Sequence, residues 1–184
     1  MTPEKKIDGK NINLRDVETT DAEFILSLRL DEDKNKFLHA VDDDLNKQIQ
    51  YIEKYQTAND SWYFIIEDKN NERLGTVRIY DVQGDSFCWG SWIIKDGAGI
   101  LTALESAILI YDYAFDTLGF KKSHFDVRKG NKKVISFHEK MGAVRTGESD
   151  IDFFYNYSVE SYRKIRPRFA KTLKLLPLNK TLTR

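Results

Sequence analysis

Three short stretches hold the residue types and spacings that can do chemistry. In SWIIKDGAGILTALESA (91–107) a strand-like run ends in a glycine-bearing loop and opens into a long helix. A helix start leaves amides without an intrahelical acceptor and carries the positive end of the dipole, so this loop suits a phosphate or pyrophosphate. Gly97 and Gly99 let backbone approach a ligand closely, and they serve equally well as turn residues. In GNKKVISFHEKMG (130–142), His138 follows Asn131 by seven residues, about two helical turns, so both lie on nearly one face. A ligand along that face would meet an amide and an imidazole that titrates near neutrality. The competing assignment is an N-cap asparagine and a solvated histidine. In SHFDVRK (123–129), strand alternation puts His124, Asp126 and Arg128 on one face. They form either a base with its orienting carboxylate or a ladder of ion pairs.

The elements that must position these residues follow from periodicity. Asn11–Val17 alternates apolar and polar as a strand does, and TTDAEFILSLR and LNKQIQYIEKYQ carry the apolar stripes of amphipathic helices. SWYFIIED and RLGTVRIYDV flank a polar turn as a hairpin, and DSFCWGSWIIK extends the meander. A largely apolar helix then runs to Gly119, followed by a strand at 121–129, a helix stopped by Gly142 and a closing hairpin. A strand near Phe87, a helix near Leu104 and a strand near Phe125 imply one right-handed crossover and one local parallel pair. The expected fold class is α/β (α+β): a mixed, mostly antiparallel twisted sheet flanked by helices. Residues 1–163 read as one domain. Residues 164–184 read as a basic C-terminal tail, a short helix interrupted by Pro167 and Pro177, with Leu175, Leu176 and Leu178 placed to dock on the domain or a partner chain.

Composition removes several function classes. The 29 basic and 29 acidic residues cancel, so no global charge draws the chain to nucleic acid or to a membrane surface, and neither partner is expected. No stretch approaches the ~20 apolar residues of a membrane span. The N-terminus has no apolar run of a signal peptide, so a cytoplasmic location is expected. The single cysteine, Cys88, excludes an internal disulfide and a cysteine zinc site, and no metal is expected.

Taken together and in this order, the stretches resemble the GCN5-related N-acetyltransferase (GNAT) superfamily over roughly Asn11–Tyr157. The members most similar are the ribosomal-protein and nucleotide-amino-sugar types. The family's last helix carries Asn, an apolar residue three on, Tyr seven on and then EKxGF; this chain reads Asn131, Val134, His138 and EKMGA. The family's pyrophosphate loop, R/Q-x-x-G-x-G/A, corresponds to Asp96, Gly97, Ala98, Gly99, Ile100 and Leu101. Aspartate stands for the arginine and leucine for the last glycine. A carboxylate facing a pyrophosphate repels it, so either Asp96 points away, with Lys95 and backbone amides binding, or cofactor affinity falls.

The resemblance implies an acetyl-CoA-dependent N-acetyltransferase with acetyl-CoA as co-substrate. Trp92, Ile93 and Ile94 would offer backbone groups to pantetheine. Lys95, Gly97, Ala98, Gly99, Ile100, Leu101 and Thr102 would hold the pyrophosphate, and Asn131 the cofactor arm. A small-molecule primary amine would attack the thioester directly through a tetrahedral intermediate, without an enzyme nucleophile. His138 would stand where the family has tyrosine and act as general acid. His124 with Asp126 would activate the amine, or Asp85 a water. The stretch LRLDEDKNKFLHAVDDD is similar to the acceptor segment of transferases acting on nucleotide-linked amino sugars. It offers Arg29, Asn35 and His39, with Tyr155 closing the acceptor side or joining a homodimer contact. Its acidic run, Asp42–Asp44, favours a cationic amine instead. Two further readings stay open: a binding module with a degenerate cofactor loop, and a protein N-terminal acetyltransferase.

Overall fold

The computed structural model describes residues 6–174. An eight-stranded sheet forms the centre, in the spatial order β1-β2-β3-β4-β5-β6-β8-β7. Its strands are β1 (Lys6–Asp8), β2 (Ile12–Asp16), β3 (Trp62–Asp68), β4 (Arg73–Gln83), β5 (Ser86–Ile94), β6 (Lys122–Arg128), β7 (Val144–Glu148) and β8 (Asp152–Ser158). Every neighbouring pair is antiparallel except β5–β6, so the expected mixed, mostly antiparallel sheet is present. The helices are α1 (Ala22–Leu30), α2 (Glu32–Asn35), α3 (Leu45–Gln56), α4 (Ile100–Asp112), α5 (Lys132–Met141) and α6 (Val159–Leu173).

Strand alternation gives the sheet two different faces. On one, Leu14, Phe64, Val77, Ile79, Phe87 and Phe125 meet α4 and α5 in the larger core. On the other, Tyr63 and Ile65 meet Ile25 of α1 and Ile52 and Tyr55 of α3. Among the described residues no helix is long and apolar enough to cross a membrane. The long apolar helix resolves into α4 and a π-helical extension, Tyr113–Thr117, before Gly119.

The two acids of α4 are anchors. Glu105 is fully buried and accepts from Lys10 N at 2.6 Å, Asn11 N at 3.0 Å and Asn11 Nδ2 at 2.8 Å, fastening the β1–β2 turn to the helix. Asp112 takes both arms of Arg166 at 2.6 Å and the Tyr162 hydroxyl at 2.6 Å, fastening α6. This corrects the short, proline-broken helix expected after Ser158. α6 runs through Pro167 and across positions 163–164 without a break. A mid-helix proline costs about 3 kcal/mol, and it is offset by anchors on both sides: the Arg166–Asp112 pair before it, and Ala170 and Leu173 buried after it. Leu175, Leu176, Pro177 and Leu178 lie outside the described residues.

Candidate active site

β5 and β6 pair only at Ser86↔Lys122 and Phe87↔Ser123 and then diverge. Beyond that point each strand presents an edge of N–H and C=O groups to the gap, free to pair with an extended ligand. One extra residue in β5 sharpens the divergence. Thr76 faces Ile93 while Arg78 faces Gly90, which leaves a bulge at Ser91 with φ 47°. Thr76 Oγ1 pins the bulge by donating to Ser91 O at 2.7 Å. A cavity of about 240 Å³ opens between the strands, lined by Trp89–Trp92 from β5, Phe125–Arg128 from β6 and Asn131, Val134 and His138 from α5.

Asn131 and His138 do share that cavity, as their spacing predicts. Asn131 is also the N-cap of α5, its Oδ1 accepting from Val134 N at 3.3 Å, so cap and cavity residue are one. His138 is not the solvated alternative. It is 5% exposed and packed between the rings of Phe125 (centroids 4.3 Å apart), Trp89 and Phe137, and its Nδ1 has no partner among the described residues. Burial among rings pushes its pKa down to about 4, so the imidazole does not titrate near neutrality as expected but is neutral at pH 7. Cys88 also lines the cavity; burial raises its thiol to about 11, which leaves no thiolate nucleophile.

At the mouth of α4, Gly97 and Gly99 take φ 81° and 84°, conformations that β-carbons resist. A Cβ at either would meet nothing within 4 Å, so backbone angle and not crowding requires glycine there. Gly99 caps α4 without a side-chain bond, and the next amides, Ile100 and Leu101, precede the first i→i−4 bond. The Ile100 and Leu101 side chains are exposed, 87% and 48%. The leucine in place of glycine therefore does not fill the helix mouth from inside. Thr102 is buried and bonds Ala98 O.

Asp96 has its own cation. Lys34 of α2 donates to Asp96 Oδ1 at 2.6 Å and also approaches Asp31. The aspartate charge is thus paired, and the pair ties the α1–α3 segment to the loop before α4. The Lys95 ammonium is paired with Glu72 in the β3–β4 turn.

On the acceptor side, Arg29, His39 and Asp126 line the cavity. Asn35 does not; it serves the α2 turn, its carbonyl accepting from Leu38 N. Tyr155 is buried on the opposite face, stacked on Phe125 and donating to Glu139 Oε1 at 2.9 Å, and so does not close the acceptor side. His124 lies outside the cavity lining, with Nδ1 2.6 Å from Ser86 Oγ and Nε2 3.1 Å from Asp81 Oδ2. Its carboxylate is Asp81, not Asp126. Asp85 sits in the β4–β5 turn near Lys122. Two of the three acids serve the start of α3: Asp44 caps it by accepting from Lys47 N, and Asp42 pairs with the Lys47 ammonium at the surface. Tyr80, Trp89 and Phe37 also line the cavity and were not foreseen. Only strand parity with Tyr80↔Cys88 could have found the first.

Comparison with known proteins agrees with this geometry. The family model for the acetyltransferase (GNAT) domain matches residues 11–144. The chain is 22% identical over 142 residues to the SPbeta prophage-derived N-acetyltransferase YokL of Bacillus subtilis, covering 76% of this chain and 80% of that one. Among solved structures it is similar to apo FdhC, a nucleotide-linked sugar GNAT, with a TM-score of 0.83, 38% identity, and coverage of 91% of this chain and 98% of the other. The fold of the spermidine N-acetyltransferase of Vibrio cholerae, solved with CoA and spermine, matches with a TM-score of 0.76 and 20% identity over 84% of this chain and 99% of that one. With its parallel pair splayed, its helix mouth open to a phosphate and its sequence matched over most of its length, the chain belongs to the GNAT family and is an acetyl-CoA-dependent N-acetyltransferase.

Proposed function

We propose that the enzyme acetylates the primary amine of a nucleotide-linked amino sugar, by direct attack on the thioester, with His138 supplying the proton to the departing sulfur. The observation that carries the acceptor class is the 38% identity, over nearly the whole chain, to a nucleotide-linked sugar GNAT. The capping of α3 by Asp44 and the Asp42–Lys47 pair support it, since they engage two of the three acids that would otherwise draw a polyamine.

The residues divide the work. The edges of β5 and β6 take the extended arm of the co-substrate, and the amides of Ile100 and Leu101 take its diphosphate. Asp126, open to the cavity, receives the proton of the attacking amine. His138 presents an imidazole at the inner end, beneath Trp89. Protonating that imidazole at pH 7, three units above its midpoint at about 1.36 kcal/mol each, costs about 4 kcal/mol. An opposite charge at 4 Å returns about 4 kcal/mol at an effective dielectric of 20. The imidazole therefore takes a proton from solvent in the cavity only as the thiolate forms beside it, and passes that proton to the sulfur to release the free thiol and regenerate the neutral ring.

The test is an amine panel: a dTDP- or UDP-linked amino sugar, glucosamine, spermidine and an N-terminal peptide, each with acetyl-CoA, products read by mass spectrometry. The nucleotide-linked sugar is expected to react fastest. Faster acetylation of spermidine or the peptide would contradict the assignment.

A further inference from the structure

Arginine in this protein as a rule reaches a carboxylate. Arg15, Arg73, Arg128, Arg145, Arg163 and Arg166 all do so. Two on the acceptor face of the sheet, Arg29 and Arg78, have none within 4.0 Å among the described residues. Arg29, near the end of α1, lines the cavity, and its Nη2 donates to His39 O at 3.1 Å. Arg78, on β4, faces the same side as Tyr80. Its guanidinium sits over the rings of Tyr80 (5.3 Å) and Tyr51 (5.5 Å), bonds the Tyr51 hydroxyl and reaches Ser61 Oγ at 3.5 Å. In both residues Nε is buried with no acceptor. Tyr80, whose ring carries the Arg78 guanidinium, lines the same cavity as Arg29, so the second cation stands one ring behind the wall that the first belongs to.

A buried donor left unpaired costs about 1–3 kcal/mol, and folded proteins keep few of them. Here two occur on one face, each on a cation held by neutral partners. The tyrosine sandwich fixes Arg78 with its charge uncancelled. A planar fork so held matches the paired oxygens of a phosphate better than it matches any amine.

We propose that Arg29 and Arg78 form a clamp for the diphosphate of the acceptor, which makes Arg78 a specificity-determining residue. This rests on the acceptor reading above and goes beyond it by naming the group that is recognised and the residues that recognise it. A polyamine is then excluded by charge, and an unphosphorylated amino sugar binds without its main anchor.

The experiment uses the full chain saturated with CoA, so that the co-substrate's own diphosphate site is filled. UDP, dTDP and inorganic pyrophosphate are titrated by calorimetry into wild type, Arg78→Met, Arg78→Lys and Arg29→Met. All three probes are expected to bind wild type, with about tenfold or greater loss in either Met variant, as for one charge-assisted bond. Arg78→Lys should fall between, keeping charge but not the fork. Should Arg78→Met not fold, Arg29→Met decides, since among the described residues its side chain bonds only the His39 carbonyl. Unchanged affinity in the folded variants, or no diphosphate binding to CoA-saturated wild type, overturns the clamp. Acetyl transfer is read separately in the same preparation. Acetylation of glucosamine as fast as of its nucleotide-linked form would sink the clamp and leave the transferase activity standing.

Discussion

His138 gains its position from three aromatic neighbours and loses its proton to them. Because burial lowers its pKa to about 4, the unfolded chain, near 6.5, binds a proton that the folded protein does not. Stability contributed by the neutral ring is complete above pH 6.5 and declines as pH falls toward 4, by at most about 1.4 kcal/mol per unit. His138→Phe should remove that slope in urea titrations run between pH 6.5 and 4. The same variant should lower kcat about 10²- to 10³-fold, a usual loss for a proton donor, while acetyl-CoA affinity stays within about threefold. Turnover within twofold of wild type would reject the donor role. Asp96 and Lys34 make a second residue-scale prediction. Asp96→Asn releases the lysine ammonium near the helix mouth and should tighten acetyl-CoA binding, whereas Lys34→Ala should weaken it, with melting temperature nearly unchanged in both because exposed pairs add little stability. Asn131 and His138 were legible in sequence because seven residues on a helix fix a common face. Lys34 was not, since its partner lies 62 positions away. Nor was the Asp81 contact of His124, which needs the register of β4, β5 and β6.

At the scale of elements, the helix and strand sequence could be read from periodicity, and the β5–α4–β6 crossover with it. β1 was missed: three residues are too few to show alternation, although the Asp8-Gly9 pair that turns the chain back is a hairpin signal. α6 was underestimated because Pro167 argues against a helix locally and only the Asp112–Arg166 contact outweighs it. Breaking a buried pair leaves an uncompensated charge, so Arg166→Ala should destabilise by about 3 kcal/mol and Arg166→Met and Asp112→Leu together by less. Denaturant unfolding of the single and double variants checks this. Glu105→Ala orphans three donors of the β1–β2 turn. Hydrogen exchange should rise at residues 6–14 before it rises in α4.

Across the whole molecule, the two faces of the sheet carry separate tasks. The α4–α5 face supplies the helix mouth and the imidazole, the α1–α3 face supplies Arg29 and the proposed acceptor side, and the gap between β5 and β6 is where they meet. The bulge at Ser91 and the early end of the β5–β6 pairing open that gap, and neither is written in composition or period, because both depend on which strands become neighbours. The proposed reaction requires that this gap hold acetyl-CoA with its sulfur against His138. A crystal soaked with CoA measures it directly, as the distance from sulfur to the nearer imidazole nitrogen. A distance of about 4 Å or less, within reach of a hydrogen bond to sulfur, is expected, with the diphosphate on the amides of Ile100 and Leu101. A coenzyme bound elsewhere, or a sulfur far from that imidazole, would contradict it.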